Sequence, residues 1–215
     1  MTDTRSPVIS RRLLIAAGLA ALPARALAAR GQVVTILGDS ITAGLGLPGR
    51  DALPNQLHLA LDRLGVPNVV RGAGVSGDTT ADGLGRMNFS IRPDSAVVVV
   101  ALGGNDLLRG FDPKTTRANL EAIVRRLKTR RKGVVLCGIH APEQIGAGYA
   151  RAFNAVFPTV AKEAGVALYP NLLAGVGGHR ALLQDDGIHP NARGVLIIAR
   201  GLAPVVARVL KAQPT

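Results

Sequence analysis

Short segments that are apolar along their whole length alternate with segments of helical periodicity from residue 33 onward. A strand that is apolar on both sides must be covered on both faces of its sheet, and helices between such strands supply the cover. The pattern therefore predicts an α/β fold, a three-layer α/β/α sandwich around a five-stranded parallel sheet. The predicted strands are residues 33–37, 69–70, 96–102, 134–139 and 166–168.

Helical patterns lie between these strands at residues 54–64, 79–87 and 148–164, and a further one follows the last strand at residues 191–210. Asp112 followed by Pro113 is a typical helix start, an N-cap with proline at the first helical position. Five strand-and-helix units favour a doubly wound, flavodoxin-like sheet with the strand order 2-1-3-4-5. The expected inner faces are Leu120, Ile123, Val124 and Leu127 for the helix after Asp112, and Val195, Ile198, Leu202, Val205 and Val209 for the last helix.

The first 28 residues have the layout of a cleavable export signal. Ser10-Arg11-Arg12 precedes the apolar residues 13–22, and Ala26-Leu27-Ala28 supplies small residues two apart. An apolar run of about ten residues is too short to cross a bilayer as a helix. The paired arginines are typical of a twin-arginine signal. We therefore expect a signal peptide in residues 1–28, one folded domain in residues 29–215, and an exported, periplasmic protein.

The chain carries 26 basic and 14 acidic residues, a formal net charge of +12. Such an excess suits nucleic acid or an anionic membrane. Aromatic residues make up only 3% and tryptophan is absent, so few side chains can stack on bases, and we expect no nucleic-acid partner. A solvated face is the first interpretation of the most basic helix, and transient contact with an anionic membrane surface is the alternative. Its cations are Arg117, Arg125, Arg126, Lys128, Arg130, Arg131 and Lys132.

Four segments of small and polar residues follow predicted strands, at residues 38–41, 74–78, 103–106 and 185–190. The carboxyl ends of parallel strands meet at one edge of a sheet, and open α/β sheets bind their ligands there. In the expected strand order, the loops after strands 2, 1 and 3 are neighbours. Ser40 then lies between the loops of Gly77 and Asn105, and the last segment has to reach back toward Ser40.

These residue types suit acyl transfer, which needs a nucleophile, a base, a group that orients the base, and donors for an oxyanion. Ser40 can act as the nucleophile, and His189 can accept its proton near neutral pH. Asp186 lies three residues before His189 and can bind the other imidazole nitrogen. The backbone N–H groups of Ser40 and Gly77 and the side-chain amide of Asn105 can converge on the oxyanion.

The four segments together resemble the SGNH (GDSL-type) hydrolases, and the branch of thioesterase I, lysophospholipase L1 and arylesterase in particular. The matching blocks are GDSITAG at residues 38–44, SGDTT at 76–80, LGGNDLLRG at 102–110 and DDGIHPN at 185–191, in this order. The resemblance covers nearly all of residues 32–211 and implies the same α/β/α sandwich. It implies a nucleophile at Ser40, oxyanion donors at Ser40, Gly77 and Asn105, and the acid and base at Asp186 and His189.

Several other patterns are interpreted without a catalytic role. Residues 44–49 match G-x-G-x-x-G, but Ser40 occupies the turn after the first strand and no acidic residue stands about twenty positions on, so we expect a substrate-side loop. Asp185 and Asp186 lack the further ligands of a metal site, and we expect neither metal nor cofactor. The remaining histidines are His58, expected at the surface or in packing, and His140 and His179, which are loop candidates for the cleft.

We expect a monomeric serine hydrolase that cleaves small acyl esters, including aryl esters and lysophospholipids. The alternatives are an acyl-CoA thioesterase or a carbohydrate deacetylase using the same site. A non-catalytic acyl-binding or glycan-binding protein is a further alternative of another class, although binding alone does not require a serine, histidine and aspartate set. Leu107, Leu108 and residues 143–149 are the candidates for the acyl pocket.

Overall fold

The computed structural model describes residues 31–214, and within them five strands form one parallel sheet in the order β2-β1-β3-β4-β5. This is the predicted fold class and strand order. The strands are β1 (Gln32–Gly38), β2 (Asn68–Gly74), β3 (Ser95–Ala101), β4 (Gly133–Cys137) and β5 (Ala167–Tyr169).

Seven α-helices connect and follow these strands in the described residues. Asp112 caps its helix as predicted, since its side chain accepts a hydrogen bond from the backbone N–H of Lys114 at 2.9 Å. The helices are α1 (Ser40–Ala43), α2 (Leu53–Arg63), α3 (Thr80–Ser90), α4 (Gly104–Leu108), α5 (Pro113–Thr129), α6 (Ala147–Ala164) and α7 (Ala192–Lys211). Short 3-10 helices span Gly49–Asp51, Glu143–Ile145 and Arg180–Leu182.

Two apolar cores lie on opposite faces of the sheet and define the three layers. One packs the sheet against α2 and α7, and the other packs it against α3, α5 and α6. Ile36 and Leu37 are neighbours in β1 and belong to different cores, because successive strand side chains point to opposite faces. Both are 0% exposed. Full burial of such a side chain contributes about 1.5–3 kcal/mol, so both faces of β1 hold the loop that follows it.

The second strand is longer and more exposed than its sequence suggests. Only residues 69–70 were predicted, whereas β2 spans Asn68–Gly74 and includes Arg71. Val69 is 45% exposed. β2 is an edge strand with a single hydrogen-bonded neighbour, so it does not need the continuous apolar run that marks a central strand.

The inner face of α7 also differs in its last two turns. Val205 and Val209 pack against the core as predicted but are only half-buried, whereas Val206 and Leu210, which were not predicted, are fully buried in it. The predicted face advanced by alternating steps of three and four residues, which average 3.5 and drift from the 3.6-residue turn of a straight helix. The predicted positions that are buried are Val195, Ile198 and Leu202.

The predicted signal peptide at residues 1–28 lies outside the described residues and stays a prediction. Within residues 31–214, none of the helices has the length and hydropathy that a bilayer span requires.

Candidate active site

The loops that carry the candidate residues emerge at the carboxyl edge of the sheet. Gly38, at the end of β1, pairs with Gly74 of β2 on one side and with Ala101 of β3 on the other. The loops after these three strands therefore start side by side. This register puts the segment of Ser40 between those of Gly77 and Asn105, as the strand order predicts.

Ser40 is the first residue of α1, directly after the end of β1. Asp39 caps this short helix, because its Oδ1 accepts a hydrogen bond from the backbone N–H of Ile41 at 3.1 Å. The strand-to-helix turn holds the Ser40 side chain at the sheet edge, where the residue is 8% exposed. The sequence therefore fixes the direction of the Ser40 hydroxyl through a rigid strand on one side and a capped helix on the other.

The side chains of Ser40, His189 and Asp186 form one continuous hydrogen-bonded chain. Ser40 Oγ lies 2.8 Å from His189 Nε2, and His189 Nδ1 lies 2.6 Å from Asp186 Oδ2. The second oxygen of Asp186 accepts the backbone N–H groups of Ile188 at 2.9 Å and His189 at 3.0 Å. A ring with its proton on Nδ1 donates to Asp186 and leaves Nε2 free to accept the Ser40 proton.

Two carboxyl groups of the site, Asp186 at the end of this hydrogen-bonded chain and Asp39 next to Ser40, have pKa values shifted in opposite directions. The hydrogen bond from His189, with the backbone N–H bonds of Ile188 and His189, lowers the pKa of Asp186 to about 2. Burial raises the pKa of Asp39 to about 6, although the Ile41 N–H and the positive field of His189 act against that rise. Asp186 is therefore negatively charged at neutral pH. Asp39, by contrast, changes its charge around pH 6.

Asn105 is hydrogen-bonded to the loop after β2 that contains Gly77. Gly77 has a φ of +85° in a turn closed by the bond from the Asp78 N–H to the Val75 carbonyl, and an L side chain there is strained. Asn105, near the start of α4, donates its Nδ2–H to the Asp78 carbonyl at 2.9 Å. The amide has a second proton, which this bond does not use. Asn105 thus both anchors the loop of Gly77 and retains a free donor.

Two residues that sequence reasoning did not single out hold these loops from behind. Arg86 of α3 binds the Asp78 carboxylate at 2.5 Å and donates to the Gly38 carbonyl at 2.8 Å. It therefore joins the loop after β2 to the end of β1. Asp106 is 0% exposed and accepts both the backbone N–H and the hydroxyl of Thr80. Asp106 stands beside Asn105 in the block LGGNDLLRG, and a charged residue flanking a candidate donor was the available signal.

Gln184 connects the histidine segment to the serine segment. Its Nε2 donates to the carbonyls of Leu45 at 2.8 Å and Pro190 at 3.0 Å, and its backbone N–H donates to the carbonyl of His189. This is how the last segment reaches back toward Ser40. Sequence reasoning missed Gln184 because a lone glutamine before the block DDGIHPN carries no signal of its own.

The other histidines have no hydrogen bond to the Ser40 chain. His58 bonds Asn68 at 2.9 Å on α2, away from the carboxyl edge, in agreement with a packing role. His140 and His179 are exposed loop residues. Asp185 is exposed, and it is the carboxylate of Asp186 that faces His189. The loop at residues 44–49 flanks Ser40 and His189 through Leu45 and Leu47, which suits the expected substrate-side position.

The chain is similar in sequence to several bacterial enzymes that are named as esterases or thioesterases. The chain is 38% identical over 180 residues to the esterase TesA of Pseudomonas aeruginosa, an alignment that covers 83% of this chain and 90% of TesA. It is 37% identical over 177 residues to thioesterase 1/protease 1/lysophospholipase L1 of Escherichia coli K12, covering 82% and 84% of the two chains. It is 33% identical over 182 residues to an arylesterase of Vibrio mimicus, covering 83% and 90%.

The fold of the chain is also similar to that of a solved esterase structure. The crystal structure of AlinE4, an SGNH-hydrolase family esterase, superposes with a TM-score of 0.70 at 39% identity, and the match covers 86% of this chain and 98% of AlinE4. Residues 36–196 match the family of GDSL-like lipases and acylhydrolases. The chain therefore belongs to the GDSL-like lipase/acylhydrolase family, the SGNH hydrolases, and is an ester-cleaving hydrolase.

Proposed function

We propose that this hydrolase cleaves carboxylic esters of the arylesterase and lysophospholipase type through an acyl-enzyme on Ser40. The observation that carries the proposal is the hydrogen-bonded chain from Ser40 Oγ through His189 to Asp186, with distances of 2.8 and 2.6 Å. The first distance allows the Ser40 proton to pass directly to His189, and the second is a hydrogen bond by which Asp186 orients the imidazole ring.

In the first half of the reaction, Ser40 Oγ attacks the ester carbonyl carbon as its proton passes to His189 Nε2. The tetrahedral intermediate collapses with cleavage of the bond to the leaving oxygen, and His189 gives that proton to the departing alcohol or phenol. Asp186 remains ionised, since its pKa is about 2, and it stabilises the imidazolium between these steps.

In the second half, a water molecule attacks the acyl-enzyme. His189 accepts a proton from the water, the second tetrahedral intermediate forms, and the bond to Ser40 Oγ breaks as the proton returns to the serine. The products are the carboxylic acid and free Ser40. In both intermediates, the developing negative charge on the carbonyl oxygen is stabilised by the N–H groups of Ser40 and Gly77 and the free amide proton of Asn105.

The acyl group is expected to be apolar. Large apolar side chains around the carboxyl edge of the sheet are left uncovered by residues 31–214. An apolar acyl chain that packs against them gains binding free energy, because both surfaces are removed from water. Leu108 of α4 is 61% exposed, and Ile145 of the predicted pocket segment 143–149 is 51% exposed. Leu107 packs against the core and is not available to the same degree. The other exposed members are Leu45, Val75 and Ile188.

Thioesters are the second candidate substrate, favoured by the 37% identity to an enzyme named thioesterase 1/protease 1/lysophospholipase L1. The proposed chemistry of Ser40 accommodates a thiolate leaving group as readily as an alkoxide. The export proposed below weighs against acyl-CoA as the physiological substrate, because CoA esters are cytosolic.

We also propose that the protein is exported to the periplasm after cleavage of residues 1–28, on the basis of their signal layout.

An activity profile with matched substrates tests the proposal. Wild type is assayed on p-nitrophenyl esters of increasing chain length, on the oxygen ester and thioester of the same acyl group, on a lysophospholipid and on an acetylated sugar. We expect kcat/KM on aryl esters and lysophospholipid to exceed that on the acetylated sugar. Selective deacetylation of the sugar contradicts the proposed substrate class, and a marked preference for the thioester favours the second candidate.

A further inference from the structure

One end of the molecule, opposite the candidate active site, combines exposed cations with an exposed phenylalanine. The helices α3 and α5 end at the amino edge of the sheet, because they run antiparallel to the strands that they connect. Phe89, in the last turn of α3, is 92% exposed. We call the surface around it the basic end, and its cations are the exposed Arg92, Arg126, Arg130 and Arg131 and the half-buried Lys132.

Direct contacts hold the two helix ends side by side. Arg130 donates to the side-chain oxygen of Asn88, the residue before Phe89. Lys132 Nζ donates to the carbonyl of Pro93 at 2.6 Å. Arg130 and Lys132 therefore lie against the end of α3, next in the chain to the exposed Phe89.

The cations of the basic end outnumber the carboxylates beside them in the described part of the chain. None of the five cations forms a salt bridge with a carboxylate of residues 31–214. Asp94 is the nearest acidic neighbour in sequence, and it is bound by both guanidinium nitrogens of Arg71, at 2.6 and 2.8 Å. Clustered cations repel one another and destabilise the folded state, and an anionic partner would offset this repulsion.

The backbone at Arg131 supplies an independent observation. Arg131 has a φ of +55° and is the single non-glycine residue with a positive φ among residues 31–214. It occupies the left-handed position at the end of α5, where the Lys132 N–H bonds the Leu127 carbonyl. The same closing bond ends α2 and α6, and there Gly65 and Gly165 hold the position. A glycine avoids the strain, so the arginine costs stability and adds charge to the basic end.

We propose that the basic end docks on an anionic lipid bilayer, with the cations on the headgroups and Phe89 in the interface. Basic side chains are attracted by the negative surface of the bilayer, and an apolar side chain among them gains by leaving water. A lone exposed phenylalanine is not a stacking platform for nucleic acid, which uses several aromatic residues along a groove. Because Ser40 lies at the opposite edge of the sheet, docking leaves the candidate active site open to the aqueous phase.

Vesicle binding tests the proposal in the full chain. Wild type and variants are titrated with vesicles of phosphatidylcholine, with and without phosphatidylglycerol, at low and high salt. Comparison of variants with wild type in the same chain cancels whatever residues 1–28 contribute. Arg130→Gln should lower partitioning onto anionic vesicles about fivefold, and Phe89→Ser should lower it by a similar factor. Arg200→Gln, an exposed arginine of α7 on the other face, is the matched control and should leave partitioning unchanged.

Arg131→Gly separates binding from folding. It should raise Tm by about 2–4 °C, because it relieves the left-handed strain, and yet weaken binding about fivefold. All these variants should hydrolyse a soluble p-nitrophenyl ester at the wild-type rate, also when vesicles are present. Equal loss in Arg200→Gln, unchanged binding in Phe89→Ser and Arg131→Gly, or an oligonucleotide that binds the basic end while vesicles do not, overturns the proposal.

Discussion

The side chain of Asn105 donates a hydrogen bond of 2.9 Å to the backbone carbonyl of Asp78, and so joins the loop after β3 to the loop after β2. The amide nitrogen of asparagine carries two protons, and this bond uses one of them. A loop anchor and an oxyanion donor are therefore compatible roles for the same group. The bond also fixes the orientation of the amide before any substrate arrives, which is what an oxyanion donor requires.

The Asn105→Ala variant should lower kcat by about 10²–10³ with little change in KM, because the donor acts on a charge that exists only in the transition state. The variant should also lose some thermal stability, since the loop anchor is removed with the donor. Steady-state kinetics and a thermal melt measure both effects. A variant with reduced Tm and normal kcat would leave Asn105 as an anchor alone.

Arg109→Ala serves as the control for that variant. Arg109 donates to the Gly77 carbonyl at 2.8 Å and so tethers the same loop from its exposed side, without a proposed place in the reaction. Its loss should reduce kcat far less than the loss of Asn105. Equal losses in the two variants would mean that loop position, and not donation by Asn105, accounts for the rate.

The two adjacent aspartates should differ strongly. Asp186→Asn removes the carboxylate that binds His189 Nδ1 at 2.6 Å, whereas Asp185→Asn alters an exposed side chain without that bond. We expect kcat to fall much further for Asp186→Asn, because the amide can stabilise the wrong tautomer of the ring and cannot stabilise the imidazolium. The kcat of each variant measures this directly. Similar kinetics for both variants would speak against Asp186 as the orienting group.

Asp39 should make stability fall as pH rises. Its folded pKa of about 6 lies above the ordinary 3.8, so the folded state holds a proton that the unfolded state releases between those values. Asp39→Asn keeps the cap on Ile41 and should be more stable than wild type by about 3 kcal/mol at pH 7, and equal to it near pH 4. Urea unfolding at both values measures the difference.

Asp94→Asn provides the opposite sign in the same experiment. The bidentate bond to Arg71 lowers the pKa of Asp94, so its contribution to stability is present near neutral pH and is lost as pH falls. This variant should be destabilised at pH 7 and less so at pH 3. If Asp39→Asn shows the same gain at pH 4 and pH 7, burial of a titrating carboxyl is not the cause.

The mature N-terminus is expected near Ala29. Residues 26–28 present the small residues that a signal peptidase requires, after an apolar segment of the right length. Terminal sequencing of the protein recovered from the periplasm measures the cleavage point. Arg11→Lys combined with Arg12→Lys should block export if the signal is of the twin-arginine type. Recovery of uncleaved protein from the cytosol alone would refute the expectation.

The sequence was sufficient for the sheet but not for everything that supports the site. β3 and β4 could be predicted because burial on both faces leaves a continuous apolar run, while β2 was under-predicted because an edge strand tolerates Arg71. Ser40 and His189 lie 149 residues apart, and their pairing was predicted from the resemblance of the blocks at residues 38–44 and 185–191 to a known family. Gln184 and Arg86 stand outside the matching blocks. The contacts of Gln184 with Leu45 and of Arg86 with Gly38 depend on chain reversals over 139 and 48 residues, and no local pattern encodes them.

Covalent labelling of Ser40 is the most direct test of its proposed role as the nucleophile. A fluorophosphonate probe reacts with a serine only when a base accepts its proton and donors stabilise the charged oxygen, so labelling reports the whole arrangement around Ser40. Wild type should be labelled and should lose esterase activity in proportion, and the labelled peptide should contain Ser40. Ser40→Ala should remain unlabelled and inactive with a wild-type Tm, because it removes one oxygen atom. Labelling or ester hydrolysis that persists in Ser40→Ala contradicts the assignment of Ser40 as the nucleophile.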